Sequence, residues 1–221
     1  MRIIETQDGS HSIFSEKYGV SYHSKYGAVQ ETQHVFIEAA LRPKALLHKD
    51  LAILEIGFGT GLNAFMTYLE AKKFLLNLKY TAVEAYPISQ EEAEALNYPQ
   101  VLRKEEETSF FLSMHHSSWN KRIALNDFFS IEKRQHLFQE IDFQNQFDII
   151  YFDAFAPNSQ PELWEEEIMS KMFEALKPDG ILVTYCAKGA VKRVLKSVGF
   201  EVESLKGPPG KREMTRAKKP N

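Results

Sequence analysis

An acidic residue followed by three glycines at alternate positions is the part of this sequence most able to do chemistry. The stretch reads Asp50-Leu-Ala-Ile-Leu-Glu-Ile-Gly-Phe-Gly-Thr-Gly-Leu-Asn63, which places Glu55 before Gly57, Gly59 and Gly61. Its G-x-G-x-G spacing differs from the G-x-G-x-x-G of dinucleotide-binding turns, and no Gly-Lys-Ser/Thr follows as in a P-loop. A carboxylate beside the turn is unfavourable for a pyrophosphate but suits a ligand that carries an ammonium and a sulfonium.

The elements on either side of the glycines predict how they are held. Residues 51–56 form an apolar run of strand length, and from Leu62 onward apolar residues recur at helical spacing. A strand that ends in a glycine-rich turn and restarts as a helix opens a nucleotide-type βαβ unit. Glycine is needed there because the backbone turns tightly and a ligand must approach without a Cβ in the way. A purely structural turn is the alternative interpretation.

Polar residues also follow three later predicted strands. These are Glu84 after residues 78–83, Asn126 and Asp127 after residues 122–125, and Asp153 after residues 147–152. In an open α/β sheet the loops at the carboxyl ends of the strands hold the ligand, so we expect these side chains to converge with Glu55. Glu84 lies 23 residues beyond Gly61, near the spacing at which an acid binds a ribose hydroxyl pair. We expect Asn126 and Asp127 to meet an adenine, with a plain turn as the alternative.

The order of elements predicts an α/β fold with a small N-terminal addition. Further strands are expected at residues 181–186, 200–205 and 213–217, and helices at 31–42, 161–176 and 188–198. Alternating strands and helices with a late hairpin imply a seven-stranded, mostly parallel sheet with helices on both faces. Residues 1–30 are predicted to form an antiparallel hairpin appendage that turns at Asp8-Gly9, and residues 31–221 to form a single globular domain.

Composition sets further limits on the kind of protein. The chain has 221 residues, of which 43% are hydrophobic and 26% charged. It lacks an apolar run of membrane-spanning length and the hydrophobic region of a signal peptide, so we expect a cytoplasmic protein without membrane contact. The single cysteine, Cys186, excludes an internal disulfide framework and a cysteine-based zinc site, and no metal site is expected.

Charge is unevenly distributed along the chain. The net charge is −3, but residues 188–221 contain ten Lys/Arg against three Glu, so residues 1–187 carry −10. An acidic body with a basic C-terminal end is compatible with a polyanionic partner bound at one edge. A solvated helix face followed by a frayed tail is the alternative interpretation.

Beyond these patterns, several segments resemble a known family. They are Tyr26-Gly-Ala-Val-Gln-Glu-Thr-Gln-His-Val-Phe36, Glu55-Ile-Gly-Phe-Gly-Thr-Gly-Leu-Asn63, Asp153-Ala-Phe-Ala-Pro-Asn-Ser-Gln-Pro-Glu-Leu-Trp164, Thr184-Tyr-Cys-Ala-Lys-Gly-Ala-Val-Lys-Arg193 and Gly207-Pro-Pro-Gly-Lys-Arg-Glu-Met214. Over residues 22–217 the sequence is similar to the tRNA 5-aminomethyl-2-thiouridine methyltransferases of the MnmD type. These correspond to the methyltransferase half of the bifunctional MnmC enzymes. The glycine motif is shared by many class I S-adenosylmethionine methyltransferases, whereas the third and fifth segments are far more specific.

The resemblance implies a fold, an activity and partners. It implies a class I, Rossmann-like methyltransferase that uses S-adenosyl-L-methionine to convert 5-aminomethyl-2-thiouridine to 5-methylaminomethyl-2-thiouridine at the tRNA wobble position. The bifunctional relatives continue into a flavin-dependent oxidase domain, so for a chain that stops at Asn221 we expect the methyl-transfer step alone, without FAD. The oligomeric state is left open.

Roles for individual residues follow from the resemblance. Asp153 lies where nitrogen-directed members of the class place an acidic or amide side chain, and we expect it to accept a hydrogen bond from the substrate amine. A helix cap is the alternative role for Asp153. The residues expected at the cofactor are Glu31, Glu55, Gly57, Gly59, Gly61, Asn63, Glu84, Asn126 and Asp127. The residues expected at the tRNA are Tyr22 and Tyr26, stacking on a flipped base, and Lys188, with Lys211 and Arg212 contacting phosphates.

Other functions stay open on the sequence alone. A methyltransferase for a small amine, or an aminopropyl transferase resembling the polyamine synthases, would use the same glycine turn with Glu84 and Asp153. Either would leave Lys211 and Arg212 without a role. An RNA-binding module that binds the cofactor without catalysis belongs to a different class. A nicotinamide oxidoreductase is disfavoured by the glycine spacing.

Overall fold

The computed structural model describes residues 2–221, which form two β-sheets and the helices around them. The small sheet consists of β1 (Arg2–Glu5), β2 (His11–Ser15) and β3 (Val20–Ser21). The strands of the large sheet are β4 (Asp50–Ile56), β5 (Asn77–Val83), β6 (Arg122–Ala124), β7 (Phe129–Arg134), β8 (Phe147–Phe152), β9 (Leu176–Thr184), β10 (Glu201–Lys206) and β11 (Glu213–Lys218).

The helices lie between these strands. They are α1 (Ala28–Thr32), α2 (Arg42–Ala45), α3 (Leu62–Phe74), α4 (Gln90–Glu94), α5 (Tyr98–Val101), α6 (Thr108–His116), α7 (Glu166–Ala175) and α8 (Gly189–Ser197), with a π-helical segment at Gln33–Leu41 and 3₁₀ turns at Glu105–Glu107, Phe138–Glu140 and Pro161–Trp164. Among residues 2–221, no helix combines the length and the apolar character needed to cross a bilayer.

The large sheet has the strand order β10-β11-β9-β8-β4-β5-β7-β6. Strands β9, β8, β4, β5 and β7 are parallel neighbours, whereas β11 runs antiparallel between β9 and β10, and β6 is antiparallel to β7. From β4 the chain passes to β5 on one side and later to β8 on the other, and open α/β sheets bind ligands at such a reversal. The predicted mostly parallel α/β sheet is confirmed, with eight strands in the large sheet of the described residues rather than seven.

The additional strand is β7, which the sequence analysis missed. Its sequence Phe129-Ser-Ile-Glu-Lys-Arg134 alternates buried and half-buried residues, as expected of a strand that turns one face to a core. Strand β6, predicted to be parallel, instead pairs antiparallel with β7 at the sheet edge, with Ile123 opposite Ile131. The residues that follow β6 therefore lie at the opposite end of the sheet from the predicted position.

Both faces of the large sheet are covered by helices. Along β4, Leu51 and Ile53 belong to the core beneath α3 and α6, whereas Leu54 and Ile56 belong to the core beneath α7 and α8. All four side chains are buried. Because successive side chains of a strand point to opposite faces, a strand covered on both sides is apolar on both, which explains the apolar run before the glycines, with Glu55 as its one buried charged residue.

The predicted N-terminal hairpin is confirmed, since β1 and β2 pair antiparallel around Asp8-Gly9. The turn of this hairpin is hydrogen-bonded to α1. The Asp8 Oδ2 atom accepts a hydrogen bond of 3.0 Å from the Gln30 N–H, and the Ser10 Oγ atom accepts one of 3.2 Å from the Ala28 N–H. These side chains cap α1 and so fix its end beside the large sheet. The division of the chain after residue 30 stays a prediction.

Two helix boundaries differ from the predicted ones. The helix expected to end before Pro43 continues through it, because Pro43 occupies the first turn of α2, where a missing N–H costs least. The π-helical segment Gln33–Leu41 connects α1 to α2 without a break. The helix expected over residues 161–176 is shorter, because Pro161–Trp164 forms a separate 3₁₀ turn, α7 begins only at Glu166, and β9 already begins at Leu176.

Candidate active site

A cleft opens at the carboxyl ends of β4, β5 and β8 and encloses about 910 Å³ of empty space, part of it open to solvent. The lining residues come from the segments after β4, β5, β7 and β8 and from the N-terminal segment: Tyr18, Tyr22, His23, Gly57, Phe58, Gly59, Thr60, Leu62, Asn63, Glu84, Ala85, Tyr86, Leu137, Phe138, Gln139, Asp153, Ala154, Phe155, Gln160, Glu162 and Leu163.

The glycine turn brings its backbone close to the cleft. All three glycines have positive φ, 90° at Gly57, 49° at Gly59 and 72° at Gly61. A Cβ on Gly57 would lie 2.9 Å from the carbonyl oxygen of Asp153, and a Cβ on Gly59 would lie 2.9 Å from the ring of Tyr22. The turn therefore needs glycine both for its backbone conformation and for space.

Glu84 ends β5 and is held by the backbone of two neighbouring loops. Its Oε2 atom accepts a hydrogen bond of 3.1 Å from the Gly59 N–H, and its Oε1 atom accepts one of 2.8 Å from the Tyr86 N–H. Burial raises the pKa of this carboxyl group above its usual value, while the backbone hydrogen bonds lower it. Each oxygen keeps a further lone pair, so Glu84 can accept hydrogen bonds from a pair of hydroxyl groups in the cleft.

Asn63, near the start of α3, connects two carboxyl groups. Its Nδ2 atom donates to Glu55 Oε1 at 2.9 Å and to Asp153 Oδ2 at 2.8 Å, while its Oδ1 atom accepts a hydrogen bond of 2.8 Å from the Thr32 hydroxyl. The amide thus uses its nitrogen for two acceptors and its oxygen for one donor. Asn63 therefore fixes one oxygen of Asp153 and leaves the other for the cleft.

Glu55 lies beneath Asn63 and is fully buried. Burial raises the pKa of Glu55 well above its usual value, and the hydrogen bond from Asn63 opposes that shift. Its Oε2 atom makes no hydrogen bond within residues 2–221. Glu55 was expected at the cofactor itself; in the structure it does not line the cleft, and Asn63, which does, is hydrogen-bonded to it.

Asp153 follows β8 with a half-buried side chain that lines the cleft. Its N–H donates to the Ile56 carbonyl at 3.0 Å, which keeps the end of β8 beside the end of β4. Burial raises the pKa of Asp153 to about 7; the charge of Glu31 raises it as well, whereas the Asn63 hydrogen bond and the charge of Lys211 lower it. A carboxyl group that titrates near neutrality in a cleft is a candidate for a functional role.

The two tyrosines predicted to stack on a base occupy different places. Tyr22 lies in the cleft wall, beside Gly59 and edge-on to the ring of Phe155, with ring centroids 5.1 Å apart. Tyr26 lies outside the cleft and is 38% exposed. Its ring packs so closely on Gly210 that a Cβ there would come within 2.1 Å of a ring atom. Tyr22 is thus placed next to the glycine turn, and Tyr26 at the outer surface.

Lys211, predicted to contact a phosphate, is engaged inside the fold. Its Nζ atom lies 2.5 Å from Glu31 Oε1 and 3.9 Å from the centre of the Tyr185 ring. The Glu31 side chain is 8% exposed, so Lys211 neutralises a buried carboxylate, and its predicted role is corrected accordingly. The next residue, Arg212, is exposed and has no ion-pair partner among residues 2–221. Of Lys211 and Arg212, only Arg212 is available to a phosphate.

Asn126 and Asp127 lie at the opposite edge of the sheet from the cleft, so the prediction that they meet an adenine is wrong. Because β6 is antiparallel, its last residues lie near the amino ends of the parallel strands and line a groove there with Asp50 and Asn77. The Asn126 Oδ1 atom accepts a hydrogen bond of 2.8 Å from the Phe129 N–H. This bond shapes the turn from β6 to β7, and the alternative interpretation, a plain turn, is correct.

The sequence analysis missed several lining residues. Residues 137–139 follow β7 and close one side of the cleft; the alternating pattern of Phe129-Ser-Ile-Glu-Lys-Arg134 was the available signal for the strand that places them. His23 also lines the cleft, with its Nε2 atom 2.8 Å from the Thr60 hydroxyl. Burial lowers the pKa of His23 to about 4, so its imidazole is neutral at pH 7. Nothing in the sequence distinguished this histidine from its aromatic neighbours.

Replacing Asn63 should weaken both the fold and the cleft. The substitution Asn63→Leu roughly keeps the volume but removes the amide, which leaves Glu55 Oε1 and the Thr32 hydroxyl without their partner in the interior. Each buried polar group without a partner costs about 1–3 kcal/mol. We expect the free energy of unfolding to fall by roughly 2–5 kcal/mol, as measured by chemical denaturation.

The control for this prediction is Thr67→Val on the same helix. Thr67 is also buried, and its hydroxyl lies at a longer 3.3 Å from the Tyr151 hydroxyl. Threonine and valine have nearly the same shape, so this variant tests the loss of one weaker hydrogen bond in the same core. If both variants lost the same stability, the contacts of Asn63 would have no particular weight in the fold.

Comparison with known sequences relates the chain to one family. A model of S-adenosyl-L-methionine-dependent methyltransferases matches residues 110–220, just over half of the chain. The matched region carries Asp153 and extends to the last strand of the large sheet. Among the described residues, no group of His, Cys, Asp and Glu side chains is arranged to hold a metal ion.

Curated bacterial proteins match over nearly the whole chain. The tRNA 5-methylaminomethyl-2-thiouridine biosynthesis bifunctional protein MnmC of Leptospira borgpetersenii serovar Hardjo-bovis is 31% identical over 224 residues, covering 94% of this chain. The protein of the same name from Actinobacillus pleuropneumoniae serotype 5b is 29% identical and covers 93%. The alignments cover 33% of each relative, so the chain spans about one third of the length of these proteins.

Solved structures show the same fold. The structure of MnmC2 from Aquifex aeolicus superposes with a TM-score of 0.83 at 25% sequence identity, covering 100% of this chain and 72% of that one. Spermidine synthase from Thermotoga maritima superposes with a TM-score of 0.55 at 16% identity, covering 99% and 72%. At that identity the second likeness shows a common fold only.

These comparisons agree with the motifs. The alignment with the Aquifex structure covers every element around the cleft. The family model covers the C-terminal half of the chain, which includes β8 and Asp153. Together they confirm the predicted class I methyltransferase fold and the resemblance stated for the sequence. The chain therefore belongs to the family of S-adenosyl-L-methionine-dependent methyltransferases.

Proposed function

We propose that this chain transfers a methyl group from S-adenosyl-L-methionine to the amine of 5-aminomethyl-2-thiouridine at the tRNA wobble position. The observation that carries the proposal is the position of Asp153, a carboxyl group that titrates near neutrality, directly beside the glycine turn. The relatives are named for the biosynthesis of the methylated nucleoside, which supports the choice of substrate. Because the chain spans about one third of those relatives, the proposal concerns the methyl-transfer step only.

The cleft residues fit the cofactor of the family. S-Adenosyl-L-methionine supplies a methyl group on a sulfonium, from which it can pass to a nitrogen. The backbone at Gly57 and Gly59 leaves room for close approach, since a Cβ at either position would already meet a neighbour. Glu84 would accept hydrogen bonds from the ribose hydroxyls, and Asn63 lines the cleft between these groups. Gly61 would support this arrangement by giving α3 a left-handed N-cap residue.

Asp153 would position the substrate amine. An alkylammonium has a usual pKa near that of lysine, about 10.4, so the amine must lose a proton before its lone pair can attack. Ionised Asp153 can accept a hydrogen bond from the amine through Oδ1, because Oδ2 is held by Asn63. Proton transfer to a carboxyl group of pKa about 7 stays uphill, so we assign the surplus proton to water. Correct alignment of reacting groups can contribute roughly 7–11 kcal/mol.

A group of exposed cations, which we name the basic rim, would contact the tRNA backbone. It consists of Lys25, Lys188 and Arg212. Lys25 follows Ser24, whose N–H donates to Glu31 at 3.0 Å. The Lys188 Nζ atom lies 2.5 Å from Asn158 in the loop after β8.

Much of the remaining C-terminal charge is already neutralised within the fold. The pairs are Lys192 with Glu213, Arg216 with Glu203, Lys218 with Asp179 and Lys211 with Glu31. Each of these cations has a carboxylate within reach, so its attraction for an external phosphate is weakened. The count of basic residues in the sequence therefore overstates the charge available to a polyanion.

Removal of the basic rim should weaken tRNA binding in a salt-dependent way. Replacing Lys25, Lys188 and Arg212 together with alanine removes up to three phosphate contacts. Each lost contact should flatten the log–log dependence of affinity on salt by about 0.7–0.9. We expect the affinity for S-adenosyl-L-methionine to be unchanged, since none of the three residues lines the cleft. The measurement is tRNA affinity at several salt concentrations.

Lys218→Ala provides the matched control for the basic rim. Lys218 is 44% exposed, but it is paired with Asp179 at 2.6 Å, at the end of β11 far from the cleft mouth. Its removal should leave the salt dependence of tRNA binding as in the wild type. A slope that changed equally in the control and in the rim variant would mean that binding depends on total charge rather than on these positions.

The decisive test of the proposed function is transfer of label to tRNA. The protein is incubated with methyl-labelled S-adenosyl-L-methionine and tRNA that carries 5-aminomethyl-2-thiouridine, and the nucleosides are separated. We expect label in 5-methylaminomethyl-2-thiouridine. Label transferred to a free polyamine instead would favour the small-amine alternative. Cofactor and RNA binding without any transfer would favour the non-catalytic module.

A further inference from the structure

The ion pair between Glu31 and Lys211 joins two distant parts of the chain beside Asp153. Glu31 is in α1, and Lys211 is in the loop between β10 and β11, 180 positions later. Both carboxylate oxygens of Glu31 are engaged, since Oε1 contacts Lys211 Nζ at 2.5 Å and Oε2 accepts a hydrogen bond of 3.0 Å from the Ser24 N–H. A buried pair with this degree of engagement needs both partners, because removal of one leaves an uncompensated charge.

Each partner of the pair is linked to Asp153 through two neighbouring residues, Glu31 through Thr32 and Asn63, and Lys211 through Tyr185 and Ala154. On the acidic side, the residue after Glu31 is Thr32, whose hydroxyl donates to Asn63, and Asn63 donates to Asp153. On the basic side, Lys211 lies 3.9 Å from the Tyr185 ring centre. The Tyr185 hydroxyl donates at 2.8 Å to the carbonyl of Ala154, the residue after Asp153.

The loop that carries Lys211 is held in place by its own backbone. The Gly207 N–H donates to the Arg212 carbonyl at 3.1 Å, and the Lys211 N–H donates to the Pro208 carbonyl at 2.9 Å. A Cβ on Gly207 would lie 2.5 Å from the Lys211 carbonyl oxygen, so the loop closes tightly on itself. Lys211 is therefore presented to Glu31 from a fixed turn rather than from a free chain.

We propose that Glu31 and Lys211 are positioning residues for methyl transfer, whose ion pair sets the net charge beside Asp153 and holds the loop of residues 207–212 at the cleft. The proposal rests on the proposed function for its reaction, and it assigns Lys211 to the site rather than to the tRNA backbone. Neither residue touches the reacting atoms. Their effect passes through Asn63 and Tyr185 to the carboxylate that orients the amine.

Among the titratable groups around Asp153, the ion pair of Glu31 and Lys211 supplies the charges that act on its carboxyl group. The titratable groups that face Asp153 are Glu31 from α1, Glu55 from β4, Tyr80 from β5, Tyr98 from α5, Tyr185 after β9 and Lys211 from the β10–β11 loop. Burial raises the pKa of Glu55 and of the three tyrosines above their usual values. The charges that act on the Asp153 carboxyl group are those of Glu31 and Lys211.

The signs of the two effects are opposite. The charge of Glu31 raises the pKa of Asp153, and the charge of Lys211 lowers it. Lys211→Met leaves Glu31 unbalanced, so Asp153 should ionise at a higher pH. Glu31→Gln leaves Lys211 unbalanced, so Asp153 should ionise at a lower pH. The double variant removes both charges and should return close to the wild type.

The titration of the Asp153 carboxyl group can be measured in two independent ways. The first is the pH dependence of the single-turnover rate on tRNA, in which the acid-side midpoint should move by on the order of one pH unit, upward in Lys211→Met and downward in Glu31→Gln. The second is a carbon-13 NMR titration of aspartate-labelled protein without cofactor or tRNA, with the Asp153 signal identified by its loss in Asp153→Asn. The same opposite shifts are expected there.

The outcomes separate this inference from its rivals. If Lys211→Met flattened the salt dependence of tRNA binding and left the Asp153 titration in place, Lys211 would be a phosphate contact and the inference would be overturned. Equal shifts in the same direction for both single variants would also overturn it, because they would reflect general loosening of the fold. Should the wild type methylate no tRNA, the proposed function would fail, but the NMR titration would still show whether the two variants shift the pKa of Asp153 in opposite directions.

Discussion

Gly57→Ala should lower the affinity for S-adenosyl-L-methionine by about 30- to 100-fold. Gly57 has a φ of 90°, and a Cβ would lie 2.9 Å from the Asp153 carbonyl oxygen. Strain of a non-glycine residue in such a conformation costs about 1–3 kcal/mol, and the contact adds to it, because a backbone atom cannot rotate away. Relief of the strain must displace either the glycine turn or the segment that begins at Asp153 after β8. Both segments line the cleft. A cost of roughly 2–2.8 kcal/mol corresponds to the stated loss.

The chain offers a matched control in Gly19→Ala. Gly19 also has positive φ, 67°, but a Cβ there would meet no atom within 4 Å. Both variants carry the conformational cost, and only Gly57→Ala carries the contact with the Asp153 loop. Calorimetric titration of both variants with S-adenosyl-L-methionine, after a thermal melt to confirm folding, gives the comparison. Equal affinities in the two variants would mean that the space beside Gly57 is not needed for the cofactor.

The sequence was most informative where one backbone conformation demands one residue type. The glycine turn was predicted from its spacing because only glycine suits three left-handed positions in close succession. Glu84 and Asp153 were placed correctly because each directly follows an apolar strand, and the carboxyl ends of parallel strands meet at one edge. These predictions depended on strand direction, and they succeeded where the direction was right.

The prediction for Asn126 and Asp127 failed for the same reason. An apolar run marks a strand but carries no information about whether the strand is parallel or antiparallel to its neighbour. Strand β6 pairs antiparallel with β7, and that pairing depends on the turn between them rather than on the residues of β6 alone. A single reversed edge strand moves the following residues to the other end of the sheet.

Contacts between residues distant in sequence were beyond the sequence analysis. Lys211 looked like a free cation because it lies among other basic residues, and its partner Glu31 is 180 positions earlier. Composition and spacing report the number of charges, whereas neutralisation depends on which charges the fold brings together. The same limit applies to Asn63, whose three partners come from α1, β4 and the end of β8.

Asp153→Asn should slow methyl transfer while making the protein more stable above neutral pH. The amide can still engage Asn63, but it replaces a charged acceptor by a neutral one at the substrate amine. A hydrogen bond to a charged group is worth about 1.5–3 kcal/mol, so we expect the single-turnover rate to fall about 10- to 150-fold. Binding of S-adenosyl-L-methionine should be retained. An unchanged rate would mean that Asp153 does not position the amine, and the alternative of a helix cap is excluded because the following 3₁₀ turn and α7 have Gln160 and Glu165 as their N-cap residues.

The stability of this variant should depend on pH in a direction fixed by the pKa of Asp153. In the folded protein that pKa is raised to about 7, while in the unfolded chain it is about 3.9. The neutral form is therefore favoured on folding, and its contribution is complete below about pH 4 and lost as the pH rises toward 7. Above pH 7 the wild type carries the full cost of a partly buried carboxylate, on the order of 2–4 kcal/mol, and asparagine carries none of it.

Thermal melts between pH 4 and 8 would test this dependence, with Asp148→Asn as the matched control. The advantage of Asp153→Asn over the wild type should grow between about pH 4 and pH 7 and then stay constant. Asp148 lies at the other end of the same strand and pairs with Lys177 at 2.8 Å, so its replacement should destabilise the protein instead. A variant that lost activity and also lost stability at pH 8 would show that Asp153 serves the fold. A variant that gained stability while losing activity would show that the charged Asp153 side chain destabilises the fold but is needed for the reaction.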